Sequence, residues 1–252
     1  MIEIFILSII QGITEFLPVS SSSHLIIISN YLNFDQQSLS IDVSLHIGSF
    51  FAVLVYFKKD VLNLFKKKDL FYKILIASLP VMIAGYILIK FNLIEYVRNI
   101  KTIGWTTIGF GILLYFSDKF KTKNKINKNF NYKSVFFIGL LQILSLIPGV
   151  SRSGITITAG RFLEFERVEA AKISFLLSIP TLAAVSFYGV NNLLEAGNLQ
   201  FSLINIFSIS LSFLFSFITI KYFLKYIKNF SLNIFVIYRI ILGLIILFLA
   251  YL

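Results

Sequence analysis

Long apolar runs separated by short basic stretches make up almost the whole chain. Eight runs stand out, at residues 4–32, 41–57, 72–90, 102–117, 134–163, 168–190, 202–224 and 233–251. Six are plain apolar spans, about as long as a helix must be to cross the hydrocarbon of a bilayer. The first and fifth differ, because each carries a proline and a serine-rich stretch in its middle: Pro18 with Ser20, Ser21, Ser22 and Ser23, and Pro148 with Ser151 and Ser153. The pattern predicts an all-α polytopic membrane protein, a single integral membrane domain over residues 1–252.

The two interrupted runs match each other. Gln11-Gly-Ile-Thr-Glu-Phe-Leu-Pro-Val-Ser20-Ser-Ser lies over Gln142-Ile-Leu-Ser-Leu-Ile-Pro-Gly-Val-Ser151-Arg-Ser. One offset of 131 residues separates Gln11 from Gln142, Ser20 from Ser151 and Phe34 from Phe165, and Gly111 falls nearly opposite Gly243. The chain therefore divides into a first repeat at 1–118, a basic linker at 119–133 and a second repeat at 134–252.

Lysines orient the runs, since short cytoplasmic loops are enriched in Lys and Arg. Lys58, Lys59, Lys66, Lys67 and Lys68 follow the second run. Lys119, Lys121, Lys123, Lys125, Lys128 and Lys133 mark the linker, and Lys221, Lys225 and Lys228 precede the last run. If all eight runs crossed, the last of these loops would be external, against the rule. If 4–32 and 134–163 instead enter the membrane and return on the same side, all three become cytoplasmic. Asn191 to Phe201, with Glu195 and no Lys or Arg, then becomes external, and Arg98 and Lys101 are the exceptions on an external loop. The expected architecture is six transmembrane helices plus two re-entrant helical hairpins, in two inverted-topology repeats of three crossings each, with both termini outside. Irregular backbone at membrane depth persists only where protein buries it or water reaches it. A site is therefore expected where the two Pro/Ser turns face each other.

Composition agrees with lipid as the solvent. Of 252 residues, 57% are hydrophobic and 14% charged, with a mean hydropathy of +0.85; a water-soluble domain of this size carries more polar residues. The net charge of +11 raises the question of nucleic acid. The lysines sit in short clusters between apolar runs, so a nucleic-acid partner is not expected. The first ten residues hold Glu3 and neither Lys nor Arg, unlike the basic start of a cleaved leader. The absence of cysteine excludes disulfides, thiolate metal sites and thiol redox chemistry.

The chemistry-bearing residues concentrate in the two interrupted runs. Gln11 and Glu15 are four apart, on one helix face, and Pro18 ends that helix. Four serines follow, and His24 opens the returning helix. A carboxylate in an apolar segment is costly unless it is paired or wet, so Glu15 with His24 and a serine reads as an acid–base and nucleophile device. Ser22 and Ser23 read more simply as hydroxyls that satisfy backbone freed by the break. In the second run, Gly149 and Gly154 allow a tight turn. Ser151, Arg152, Ser153 and Thr156 then open a helix whose N-terminus favours anions, and Arg152 offers a planar fork for phosphate oxygens. Arg239, inside the last run, either pairs with an acid or adds positive charge to the site. Asp42 and His46, four apart, read as partners of the site or residues at its mouth, with a cap role open for Asp42. Arg161, Lys172, Glu164, Glu166 and Glu169 read as a solvated charged rim.

These motifs resemble the undecaprenyl-diphosphatase family, the bacitracin-resistance proteins. The family pattern [E/Q]-G-x-T-E-F-L-P-[V/I]-S-S-[ST]-x-H is met by Gln11 to His24, and P-G-x-S-R-S-G-x-T by Pro148 to Thr156. The resemblance implies six spans, two re-entrant hairpins, inverted repeats and a homodimer in the bacterial inner membrane, with the site open to the periplasmic face. It implies hydrolysis of the C55 isoprenoid diphosphate to the monophosphate, supported by a divalent cation, Mg²⁺ or Ca²⁺. By motif position, Glu15, Ser21, His24 and Arg152 are the catalytic candidates, with Ser21 the nucleophile. Gln11, Ser20, Ser22, Ser151, Ser153, Gly154, Thr156 and Arg239 are the substrate-binding candidates, and Glu15 is the metal candidate. Many relatives have Glu where this chain has Gln11, which weakens a carboxylate-pair metal site here. The rival reading of inverted repeats with broken helices is a polyprenyl-phosphate transporter or flippase, which needs Arg152 but no Ser–Glu–His set.

Overall fold

Hydroxyl and amide side chains start several of the helices. Ser38 caps a helix by accepting from Ile41 N–H, Asn99 accepts from Thr102 N–H and Asn131 from Ser134 N–H. The computed structural model of the protein describes residues 2–32, 38–66, 68–93, 99–195 and 203–252. Phe34, Lys67, Arg98 and the loop residues 196–202, used above for the repeat and the topology, lie outside them.

The first break separates α1 (Ile2–Thr14) from α2 (Ser21–Leu32). Then follow α3 (Leu39–Tyr56), α4 (Lys58–Lys66), α5 (Lys68–Lys90) and α6 (Ile100–Asp118). A short α7 (Ile126–Asn129) lies in the basic linker. The second break separates α8 (Tyr132–Gln142), continued by one 3₁₀ turn at Ile143–Leu146, from α9 (Arg152–Phe162). The chain ends with α10 (Arg167–Glu195), α11 (Leu203–Asn229) and α12 (Asn233–Tyr251). The protein is all-helical among the described residues, and α3, α5, α10, α11 and α12 are long and apolar enough to cross a membrane. The run at 102–117 forms α6, but Thr102, Thr106, Thr107, Gly104, Gly109 and Gly111 dilute its hydropathy.

Packing is reciprocal between the halves. Helix α1 lies on α11 and α8 lies on α5; α3 packs on α11 and α10 on α5; α3 meets α10, and α6 meets α12. The α3–α11 contact is close because hydroxyls line it, as small residues do in lipid. Ser49 Oγ is 3.2 Å from Ser212 Oγ and 3.0 Å from Ser216 Oγ, and Ser212 Oγ donates to Leu45 O at 2.7 Å. Beneath the first break, Phe16 is fully buried and meets Phe175 edge-on at 5.3 Å between ring centroids. This anchors the turn immediately after Glu15.

The charged rim is more buried than its sequence suggests. Arg161 is 1% exposed, not solvated. Its guanidinium donates to Phe165 O, Asp118 O and Phe120 O, and approaches Asp118 Oδ1 at 3.4 Å. Arg167 takes the same carboxylate in two bonds of 2.7 and 3.0 Å, and Asp118 Oδ2 also accepts from Leu232 N–H. Asp118 thus ties the end of α6 to the second hairpin and the start of α12. Lys172 pairs with Asp60 at 2.6 Å, and Glu169 accepts from Ile126 N–H at 2.9 Å.

Candidate active site

Both breaks use the same backbone device. Ser20 and Ser151, the pair matched by the internal repeat, have φ of 77° and 70°. This left-handed region is uncommon for side chains with a Cβ and costs energy. The carbonyl of Ser20 accepts from the His24 ring at 2.6 Å, and Ser151 Oγ accepts from Gly154 N–H at 3.1 Å, so each strained serine is fixed by the helix it precedes.

At Gly149 the requirement is absolute in a different way. Its φ is +93°, and a Cβ would collide with Thr106 Oγ1 and stand 2.7 Å from Ile103 O. Thr106 Oγ1 meanwhile donates to Pro148 O at 2.6 Å, docking the turn on α6. Gly149→Ala is expected to cost about 2–4 kcal/mol, from left-handed strain plus overpacking. A lowered melting temperature in detergent checks it.

The two turns meet. Ser153 Oγ, on α9, donates to Leu17 O at 2.6 Å, and Arg152 Nη2 donates to Glu15 Oε1 at 2.8 Å. Glu15 Oε2 accepts from Ser21 Oγ at 2.7 Å and from Gln11 Nε2 at 3.1 Å. Glu15 is therefore a buried carboxylate held from three sides, and Ser21 is oriented with its proton on that carboxylate. Arg152 Nη1 is steadied by Ser174 O at 3.2 Å. The junction opens into a cavity of about 220 Å³. Glu15, Ser20, Ser21, Ser22, Ser151 and Arg152 form its polar wall, with His46, while Val81, Leu146, Leu182 and Val185 form an apolar one.

Other candidates sit behind that wall. Thr156 Oγ1 donates to Arg152 O at 2.8 Å and lies 2.7 Å from Ser174 Oγ, joining α9 to α10. Gly154 leaves room for a guanidinium, since a Cβ there would lie 3.0 Å from Arg239 Nη1. His24 is absent from the cavity lining, with one ring nitrogen on Ser20 O and the other 2.5 Å from Tyr238 Oη. Arg239 is fully buried beneath both turns. It donates to Pro18 O at 3.1 Å, Val150 O at 3.0 Å, Gly149 O at 2.8 Å and Thr107 O at 3.1 Å. No salt bridge to a carboxylate is formed by it among the described residues.

The sequence profile of a family described as "Bacitracin resistance protein BacA" matches residues 4–245. The chain belongs to the BacA family. It is 49% identical over 251 residues to a protein of Pelagibacter ubique (strain HTCC1062) named "Undecaprenyl-diphosphatase", covering 99% of this chain and 98% of that one. Proteins of the same name from Roseobacter denitrificans and Aliivibrio salmonicida are 40% and 39% identical, over 99% and 96% of this chain and 98% and 95% of theirs.

Among the described residues of this BacA-family chain the donors do not fit a resident divalent cation. A protein-held Ca²⁺ takes six to eight oxygens, and Mg²⁺ an octahedron with carboxylate and phosphate ligands. Among the described residues no group of three or more His, Asp or Glu could hold a metal ion. Glu15, the metal candidate, has both oxygens engaged by Arg152, Ser21 and Gln11. The sequence reading gave little weight to two cavity residues. Ser145 and Thr181 carried no signal beyond being hydroxyls in apolar runs. His46 did carry one, an ionisable group inside a span, and was read as a partner or mouth residue.

Proposed function

We propose that the chain is an undecaprenyl-diphosphate phosphatase, which hydrolyses the lipid diphosphate to undecaprenyl phosphate and inorganic phosphate and so recycles the carrier for peptidoglycan and other envelope polymers. The observation that carries this reading is the array of Ser21, Glu15 and Arg152 on one open cavity. A transporter for the same lipid would need the arginine and the helix end. It would not need a hydroxyl whose proton already rests on a buried carboxylate.

The reaction follows from that geometry. The terminal phosphate docks at the start of α9, where first-turn N–H groups and Arg152 face it. Ser21 Oγ bonds to the terminal phosphorus as its proton passes to Glu15 Oε2, and the bond from that phosphorus to the bridging oxygen breaks, freeing the lipid monophosphate. Arg152 stabilises charge on the transferring group. Water then attacks the phosphoserine, Glu15 returns its proton to Ser21 Oγ, and phosphate leaves with both hydrogens of the water. The apolar wall of Val81, Leu146, Leu182 and Val185 suits the first isoprene units. No step above depends on a divalent cation; one carried in on the diphosphate would neutralise part of its charge.

The same proposal places the site in a membrane of six spans and two re-entrant hairpins, in inverted repeats. Helices α1, α2 and α9 have 13, 12 and 11 residues, about 20 Å or less at 1.5 Å per residue, too short for hydrocarbon about 30 Å thick. The reciprocal packing and the paired left-handed serines support the repeat. His46, Val81 and Val185 lie on the halves of α3, α5 and α10 away from Lys58, Lys73 and Lys172. If those lysines mark the cytoplasm, the cavity opens outward, to the periplasmic face of a bacterial inner membrane. The resemblance extends the proposal to a homodimer.

The test is phosphate release from undecaprenyl diphosphate by purified protein in detergent, with Mg²⁺, with Ca²⁺ and with chelator. Arg152→Ala is expected to lower turnover about 10²-fold, the usual effect of removing one donor from a developing oxyanion. No release by folded wild type under any metal condition would favour the transporter.

A further inference from the structure

His46 is the histidine that reaches the cavity. It sits one turn after Asp42 on α3, and its Nδ1 lies 2.7 Å from Asp42 O. A backbone carbonyl only accepts, so Nδ1 carries the proton. Nε2 is left without another hydrogen bond among the described residues. The ring lines the cavity with Glu15, Ser21, Ser22 and Arg152. His24 contrasts at each point. Its nitrogens are held by Ser20 O and Tyr238 Oη, its ring is stacked on Tyr238 at an interplanar angle of 6°, and it is absent from the lining. For His24 to move a proton in the cavity, two short hydrogen bonds and a stack would have to break.

We propose that His46 is a catalytic residue of the phosphatase reaction, the acid that protonates the departing lipid monophosphate and the base that then takes a proton from the attacking water. The proposal rests on the phosphatase reading above. In the first step Ser21 Oγ bonds to the terminal phosphorus and its proton goes to Glu15. The phosphorus–bridging oxygen bond breaks, and imidazolium His46 gives its Nε2 proton to the oxygen that leaves. In the second step water attacks the phosphoserine, neutral His46 takes one of its protons, and Glu15 returns its own proton to Ser21 Oγ. Phosphate leaves with the remaining hydrogen, and imidazolium, carboxylate and hydroxyl are all restored. Two proton carriers on one cavity let the entering and leaving oxygens be served separately, which a single carboxylate cannot do within one step.

The charged groups that line the cavity with His46 are Glu15 and Arg152, from the two breaks, and Asp42 precedes it by one turn on its own helix. Of the helices packed against α3, α1 contributes Thr14 and α10 contributes Thr181, Leu182 and Val185 to the cavity, none of which titrates there, and α11 contributes no lining residue among those described. If His46 gives the proton in the first step, wild-type kcat is expected to fall on the alkaline side, and that fall is expected to depend on His46.

The test compares wild type with His46→Gln and His46→Ala, measuring phosphate release from undecaprenyl diphosphate between about pH 5 and about pH 9, with and without added imidazole. His46→Gln is expected to lower kcat about 10²-fold, with KM little changed and the alkaline limb gone. Imidazole is expected to restore at least about a tenth of the lost rate to His46→Ala and none to His46→Gln. Melting temperatures of both variants are read alongside. His46→Gln with more than about half of wild-type kcat and the wild-type pH profile would overturn the proposal while leaving the phosphatase intact. Activity lost only in step with the melting temperature, without rescue by imidazole, would overturn it as well. No phosphate release by wild type is a different result, since it removes the phosphatase reading itself.

Discussion

Glu15→Gln is expected to lower phosphate release about 10³-fold while leaving KM unchanged or lower. The substitution keeps the shape of the side chain and removes the base. In the native site Ser21 Oγ donates to Glu15 Oε2 at 2.7 Å, which sets the direction of the serine proton and gives it an acceptor. An amide offers one acceptor oxygen, and Arg152 Nη2, 2.8 Å from Glu15 Oε1, competes for it. Ser21 then faces an NH₂ group, its proton turns away, and nucleophile and base are lost together. Arg152 would meanwhile lose its countercharge and be freer to hold phosphate, so affinity should not fall. Steady-state kinetics with folded variant in detergent separates the two parameters. A large rise in KM with kcat preserved would instead make Glu15 a binding residue and return the nucleophilic role to water placed by another group.

The local parts of this site were legible in the sequence. Four-residue spacing put Gln11 over Glu15, and their side chains are bonded at 3.1 Å. Pro18 and Pro148 marked the breaks, and Arg152 followed the second one at the start of a helix. These features depend on neighbours in the chain, so helical geometry and proline sterics suffice to read them. What the sequence left open depends on partners far away. His24 stands beside the serine run, yet its second nitrogen is taken by Tyr238, 214 residues on. Arg161 lies in the last turn of α9 and precedes acidic residues, which suggests solvent, but Asp118, Phe120 and Phe165 close over it. His46 lies outside both motifs, and its place on the cavity comes from the packing of α3 against α1 and α10.

Arg239 gives the sharpest case of a role set by distant backbone, and the largest expected effect on stability. Its donors reach the carbonyls of Pro18, Gly149, Val150 and Thr107, so one guanidinium ties both irregular turns to α6. The carbonyls of Pro18, Gly149 and Val150 lie in the breaks, where the helix cannot supply a donor and lipid cannot either. Arg239→Met keeps the volume and removes every donor. With those three buried acceptors left unpaired at about 1–3 kcal/mol each, the loss reaches the scale of the whole stability of a domain, about 5–15 kcal/mol. The expected result is failure to yield a monodisperse species in detergent. Arg239→Lys is expected to fold with a clearly lowered melting temperature, because three donors on a point charge cannot span the plane that a guanidinium covers. Size exclusion and thermal melting decide between this role and direct phosphate binding. An Arg239→Lys protein that melts like wild type but binds the lipid diphosphate weakly would make Arg239 a substrate ligand. One that melts early and turns over normally below its transition would confirm it as the staple on which the geometry of Glu15, Ser21 and Arg152 depends.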